Sequence, residues 1–361
     1  MRRNLGILAP ILFACALTGF AWSQTPAPKW PPHPLEDIEM EALIRAVAAS
    51  CAEGDFGMVF ALVEGAKQRH PDLPQPLVIE VFAQALFLNT YRGSATRDAY
   101  VNACARSEAS LAQLLKKFPD DPRLHFYLGG VLGYRGMLEV LEGRFVRALG
   151  TGIDAVKHLE ISSRATPPIS DAQFGLALFY HTRFAYAKVF SWLPSYGDDQ
   201  SKAYAALEEV RQRGVLLRDE AETRLISFRM QDGKWEGLEE DLMNLVRRHP
   251  RNLFLKTLGM EYALRRNRTE LIGPLVKEAM PLVQAQPRTG RSMMFILRVT
   301  SAWAEFKQGK TEEAKTQAEA LEDEIPGLEP WTNNQFWIKK LRQLLAEVDG
   351  LKKKKAPSPG K

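Results

Sequence analysis

The sequence predicts an all-α protein built as a solenoid of antiparallel helical hairpins. Three observations carry this. Apolar residues recur at helical spacing from Leu35 to Gly350, no block shows strand alternation bounded by turns, and one Gly-to-Pro spacing repeats along the chain. With 45% hydrophobic and 25% charged residues, the chain has enough apolar material for a continuous core, which excludes global disorder.

The N-terminus carries Arg2 and Arg3, then an uncharged apolar run from Leu5 to Trp22, with Ala21 and Ser23 just before Gln24. A basic start, an apolar core and small residues at the cut read as a signal peptide over residues 1–23, cleaved between Ser23 and Gln24. Two alternatives stand beside it. Leu12, Phe13, Ala14 and Cys15 resemble a bacterial lipoprotein box, which would put a lipid on Cys15. An uncleaved apolar run of about 18 residues would serve as an anchor. Phe13 is bulky for a lipoprotein box and the sequence stays apolar after Cys15, so ordinary cleavage is preferred. The chain is then exported, periplasmic or in the cell envelope, and meets a membrane only if the signal is retained or Cys15 is lipidated.

Residues 24–35 hold Pro26, Pro28, Pro31, Pro32 and Pro34 and read as an extended leader, because proline removes a helix donor and fixes φ. The solenoid is expected over residues 36–350, with degenerate repeats at 36–120, a divergent Gly- and Tyr-rich block at 121–197 and repeats again at 198–350. Residues 351–361, rich in lysine, read as a disordered tail. The formal charge of +5 resides in the termini: without Arg2, Arg3, residues 352–355 and Lys361 the body is close to neutral. No basic nucleic-acid groove is expected.

The repeat is defined by Gly54, Val59, Val63, Ala66 and Pro71, spaced 0, 5, 9, 12 and 17 from the glycine. Gly233, Leu238, Leu242, Leu245 and Pro250 repeat it, as do Gly309, Ala314, Ala318, Leu321 and Pro326, with a weaker copy at Asn102, Ser107, Leu111, Leu114 and Pro119. Glycine permits a left-handed turn between two helices, offsets 5, 9 and 12 line one helical face, and proline stops the helix. Between two copies, Leu258-Gly259 followed by Tyr262 matches the Leu-Gly-x-x-Tyr core of a tetratricopeptide helix. Here the chain resembles the tetratricopeptide-repeat family, over residues 54–71 and about 217–326, and its central block resembles one in uncharacterised exported bacterial members. The resemblance implies a right-handed superhelix of about seven hairpins whose concave face holds a peptide or protein segment.

In the central block, Asp121-Pro122 marks a helix start, an N-cap acid before proline at the first helical position. Gly129, Gly130, Gly133 and Gly136 then fall inside one helix, where each costs about 1 kcal/mol relative to alanine. Close helix packing is the commoner compensation; a bound ligand is the other. Farther on, His181 sits with Tyr180, Arg183 and Tyr186 in a helix apolar nearly all round, which implies burial and a need for partners. Tyr134 and Arg135 are expected to meet this cluster. The result is either an internal hydrogen-bond network, which is preferred, or a pocket in which Arg135 or Arg183 receives a carboxylate and Trp192 and Tyr196 form the rim.

Chemistry is weakly signalled. Gln308-Gly309-Lys310-Thr311 lacks the glycine a phosphate loop requires five residues earlier, where Ala304 stands, and reads as the turn of the third repeat. No nucleophile elbow, zinc-helix motif, Cys pair or dinucleotide fingerprint occurs. Acidic clusters at Asp198-Asp199, Glu208-Glu209 and Glu239-Glu240-Asp241 read as solvated charge. The six histidines show no metal spacing, and His70 and His249, each just before a repeat-ending proline, read as structural. Cys51 and Cys104 remain after cleavage, and one disulfide or two buried thiols are both open. The reading is a non-catalytic scaffold or adaptor in the bacterial envelope that binds a protein or peptide and needs no cofactor or metal. Its alternatives are a small-ligand receptor or enzyme using the central Tyr/His/Arg cluster, and a lipid-anchored outer-membrane assembly factor.

Overall fold

The computed structural model describes residues 38–187 and 197–355. The signal peptide with Cys15, Ser23 and Gln24, the proline-rich leader, Trp192, Tyr196, the Tyr186 side chain and residues 356–361 lie outside the described residues.

Among the described residues there are fifteen α-helices and no strand. They are α1 (Ile38–Ala52), α2 (Phe56–Arg69), α3 (Gln75–Tyr91), α4 (Ser94–Lys117), α5 (Pro122–Leu141), α6 (Phe145–Ser163), α7 (Ala172–Ala187), α8 (Asp199–Arg213), α9 (Arg218–Gln231), α10 (Leu238–Arg248), α11 (Leu253–Arg266), α12 (Ile272–Gln284), α13 (Arg291–Lys307), α14 (Thr311–Glu324) and α15 (Asn334–Lys355). Consecutive helices from α1 to α14 pair as seven hairpins, and α15 packs on α13 and α14. The first helices of neighbouring hairpins also touch, α1 with α3, α3 with α5 and α5 with α7, which is the stacking of a helical-repeat solenoid. Helix α15 runs on past Gly350 to Lys355. No helix among the described residues is long and apolar enough to cross a membrane.

The repeat spacing has the physical basis expected of it. Gly54, Gly233 and Gly309 take φ of +74°, +72° and +85°, in the region only glycine enters without strain. All nine side chains at the three helical offsets, from Val59 to Leu321, are buried. His70 and His249 cap their helices through backbone N–H groups, just before Pro71 and Pro250. At Gly259 an added Cβ would meet Leu275 Cδ1 at 3.0 Å, so α12 approaches α11 closely there. The weaker copy differs at its start: Asn102 lies inside α4, which runs through without a turn, although Ser107 and Leu111 are fully buried and Pro119 follows the helix end. At α5, the Asp121 carboxylate accepts from the Arg123 N–H at 2.8 Å, with Pro122 at the first helical position.

One expectation requires correction. An ordinary solenoid contacts only its sequence neighbours and leaves its concave face open, whereas this chain closes on itself. Asn252 caps α11 and also donates through Nδ2 to the Ala52 carbonyl at 2.8 Å. The Gly290 N–H donates to the Tyr91 carbonyl at 2.7 Å, and the Thr332 N–H to the Leu141 carbonyl at 2.9 Å. Arg92, buried and left-handed at φ +59°, donates to the side-chain oxygens of Asn333 and Asn334. Phe56, Phe87 and Tyr91 of the first two hairpins therefore share a core with α9–α15, and α3 packs against α11. Helix α3 is buried on several sides because it lies within this closure, where a concave groove for a peptide was expected.

Candidate binding site

The side chains expected to form one central cluster are distributed over separate internal contacts. His181 is buried, its ring stacked on Phe228 with centroids 3.6 Å apart, and its Nε2 lies 3.3 Å from Asp232 Oδ2. The Tyr204 hydroxyl donates to the same oxygen at 2.9 Å; burial, then that carboxylate, pushes the Tyr204 pKa up. Arg183 forms a bidentate pair with Asp199 at 2.6 and 2.7 Å and lies over the Phe179 and Tyr180 rings. Asp199 is thus fully buried at the start of α8, which corrects its reading as solvated charge.

Arg135 and Tyr134 do not join that group. Arg135 pairs with Glu108 of α4, whose carboxyl is nevertheless raised by burial. Tyr134 packs its ring on Phe82 of α3, with centroids 5.8 Å apart, and its carbonyl accepts from the Tyr100 hydroxyl at 2.6 Å. The physical reason is that residues 134 and 135 face α3 and α4, whereas α7 packs its polar residues toward α8 and α9.

Beneath Tyr134 the structure holds a feature that the sequence signalled only through its glycines. A cavity of about 120 Å³ lies between α1, α3, α5, α7 and the turn before α9, walled by Val47, Phe82, Gly130, Gly133, Phe174 and Leu216 among others. Of the four helical glycines, Gly129 is the close-packed one: an added Cβ would meet Leu159 Cγ at 2.7 Å. At Gly136 the same atom would make ordinary contacts, and at Gly130 and Gly133 it would meet nothing within 4 Å. Close packing therefore explains Gly129, while Gly130 and Gly133 enlarge the cavity. Gly175 of α7 packs on the other side of the same Leu159, which fixes α5, α6 and α7 around one side chain.

The wall is almost wholly apolar, with three exceptions and one capped acid. Gln75, Tyr127 and Tyr134 line it, but the Gln75 carboxamide and both hydroxyls are themselves buried and turned away from the open space. The Gln75 carboxamide lies beside the Tyr127 hydroxyl and acts on it as a hydrogen-bonding neighbour. Burial pushes the pKa of both tyrosines up, so each keeps its proton. Asp171 also lines the cavity, but its carboxylate accepts from the N–H groups of Val215, Leu216 and Leu217 at 3.0, 3.1 and 2.8 Å. A second cavity, of about 320 Å³ between α5, α6 and α7, shares Gly133, Gly175 and Leu178 with the first.

Cys51 and Cys104 are buried free thiols in different cores, each pushed up to about 12 by burial, so the two-thiol alternative holds. Among the described residues no group of three His, Cys, Asp or Glu side chains is placed to hold a metal ion.

No protein-family model matches the chain, and no curated protein matches it. Among solved structures, the crystal structure of yeast Tom70 is similar at 11% identity and a TM-score of 0.36, over 89% of this chain and 86% of that one.

Proposed function

We propose that this chain is a non-catalytic binding protein of helical-repeat type that holds a small apolar ligand inside its closed solenoid. One observation carries the reading: Gly130 and Gly133 sit mid-helix beside an apolar cavity, with no close neighbour to explain them. Two such glycines destabilise α5 by about 1 kcal/mol each relative to alanine. Space for a ligand is what they provide in return. Apolar cavities of roughly this size accept benzene-sized groups. The test is a fluorescence titration with N-phenyl-1-naphthylamine, an uncharged dye that brightens on leaving water. Saturable binding by the purified protein, weakened by Gly130→Leu, supports the reading; equal binding by both proteins sinks it.

A second reading keeps the protein-binding scaffold, moved from the concave face to the outside of α6. Val146, Ile153 and Ile161 are exposed there, and their spacing of seven and eight residues places them on one helical face. Capture of one specific protein from envelope extract, lost with Ile153→Glu but kept with Gly130→Leu, would favour it. The export reading rests on residues 1–23. Mass spectrometry of the mature N-terminus separates cleavage after Ser23 from acylation at Cys15.

A further inference from the structure

We infer that the ligand is an amine with an apolar body, the body lying in the apolar cavity and the cationic end seated at Glu220, Asp219 and Asn89. The inference rests on the cavity reading above and adds the chemistry of the ligand.

A third, smaller cavity of about 50 Å³ adjoins the first. The two share Ala48, Phe82 and Leu216, and the same three segments run past both: α1, α3 and the turn into α9. Helix α3 shows the open side directly. From Val81 to Tyr91 every residue is buried except Phe82, Leu86 and Asn89, which at spacings of four and three residues share one helical face. With Ile79 one turn earlier, this face carries three apolar side chains and then an amide, over about 15 Å of helix.

The polarity of the far end selects the charge. Among the described residues no hydrogen bond reaches the Asn89 carboxamide or the Asp219 carboxylate, and both side chains line the space. Glu220 accepts from Arg224 Nε through Oε1 at 3.0 Å, while its other oxygen is unbonded. The Glu220 side chain is 17% exposed, and that oxygen is open where the Gln75 carboxamide is sealed. His249, the basic side chain on this wall, already faces Glu53, with Nδ1 2.9 Å from Oε1. Two carboxylates therefore face a space with no cation of its own among the described residues. Burial raises the Glu220 pKa, and a positive charge placed there is attracted more strongly than it would be in water. A protonated primary amine offers three N–H donors, which match Glu220, Asp219 and the Asn89 oxygen in number and kind.

Asp219 and Glu220 also stand in the first turn of α9, where carboxylates favour a helix start. That accounts for two acids in this place but not for the inward face of Glu220 at the end of an apolar stripe. Water alone fills a polar cavity of this size. The apolar stripe leading to it is what fits a charged end joined to an apolar body.

The experiment is competition against the dye at pH 7.5 and physiological salt with three ligands of one tail: decylammonium, decan-1-ol and decanoate. Decylammonium is expected to displace the dye at a concentration about tenfold below decan-1-ol, with decanoate the weakest. Glu220→Gln, checked for an unchanged melting profile, is expected to erase that advantage while leaving dye affinity and the decan-1-ol midpoint as they were. If Glu220→Gln does not fold because Arg224 is stranded, Asp219→Asn, at an exposed side chain, carries the test. It should raise the decylammonium midpoint about threefold and leave decan-1-ol unmoved. Decylammonium no better than decan-1-ol, or an advantage untouched in the folded variant, overturns the amine assignment and leaves the cavity reading standing. Failure of the dye itself to bind overturns both.

Discussion

Trp331 donates its indole N–H to the main-chain carbonyl of Arg92 at 2.8 Å, joining residues 239 positions apart. The contact lies at the seam where the α3–α4 turn meets the segments before α13 and α15. Arg92 is held there by Asn333 and Asn334, and burial brings its guanidinium down to about 10. A seam of this kind makes early and late hairpins one cooperative body, where an open array would unfold by nearest-neighbour steps. Trp331→Phe keeps most of the ring volume but leaves a buried carbonyl unpaired, which costs about 1–3 kcal/mol. The expected outcome in urea is a single transition at a lower midpoint; two separated transitions in the wild type would show that the seam does not couple the halves.

The glycines of α5 should divide by what stands opposite them. Gly130→Ala and Gly133→Ala place a methyl where nothing lies within 4 Å and remove the helix penalty, so each should stabilise by up to about 1 kcal/mol. Both should weaken dye binding, because the methyl enters the cavity wall. Gly129→Ala, driven against Leu159, should destabilise instead. Thermal melts of the three proteins decide the matter, and a shift of the same sign in all three would contradict the packing described.

Arg183 is expected to matter for folding and not for ligand. Its partner Asp199 is fully buried, so Arg183→Ala strands a carboxylate and should cost about 3–5 kcal/mol. Dye affinity of the fraction that remains folded should be unchanged. A stable Arg183→Ala protein that no longer binds would place the ligand at the His181–Arg183 group after all.

The His125–His158 pair sets an acid limit. Their Nδ1 atoms lie 2.7 Å apart, and His125 Nε2 donates to the Pro119 carbonyl at 2.8 Å, so in the neutral pair His158 donates to His125. Burial, then the neighbouring His125, lowers the His158 pKa below its ordinary value of about 6.5. The unfolded chain therefore binds more protons than the folded one at acid pH, and stability falls as pH drops through about 6.5, levelling below the folded pKa. Melting temperatures measured from pH 8 to 5 should show this fall, and His158→Gln should flatten part of it.

Cys51 and Cys104 should resist alkylation. Burial keeps both as thiols, while the reactive species is the thiolate. Brief iodoacetamide treatment at pH 8, followed by peptide mass spectrometry, should leave both unmodified in the native protein and modified in 6 M guanidinium. Rapid native labelling of either would contradict its placement in the core.

Much of the fold was legible before any coordinates. Leu238, Leu242 and Leu245 announce a buried helical stripe because helical periodicity repeats within four residues. Gly233 and Pro250 bracket it because backbone dihedral limits act at single residues. Asp121-Pro122 marks its helix start for the same local reason. The candidate site was only half legible. The unusual glycines of α5 pointed to the right helix, but their spacing could not separate Gly129, packed on Leu159, from Gly130 and Gly133, which face the cavity. Gln75 is one of three amide side chains in α3, with Gln84 and Asn89, and nothing in the sequence distinguished it as the one on this cavity's wall.

The sequence by itself determined the helices, the turns between them and the hairpin repeat, since each follows from forces acting along a few neighbouring residues. Tertiary structure alone decided that the solenoid closes through Arg92 and Trp331, that Arg183 meets Asp199 while Arg135 meets Glu108, and that a cavity is left beside Gln75 and Tyr127. These depend on which faces meet between residues up to 242 positions apart. A buried polar group takes whatever partner the packed fold brings within reach, and helical periodicity carries no record of that partner.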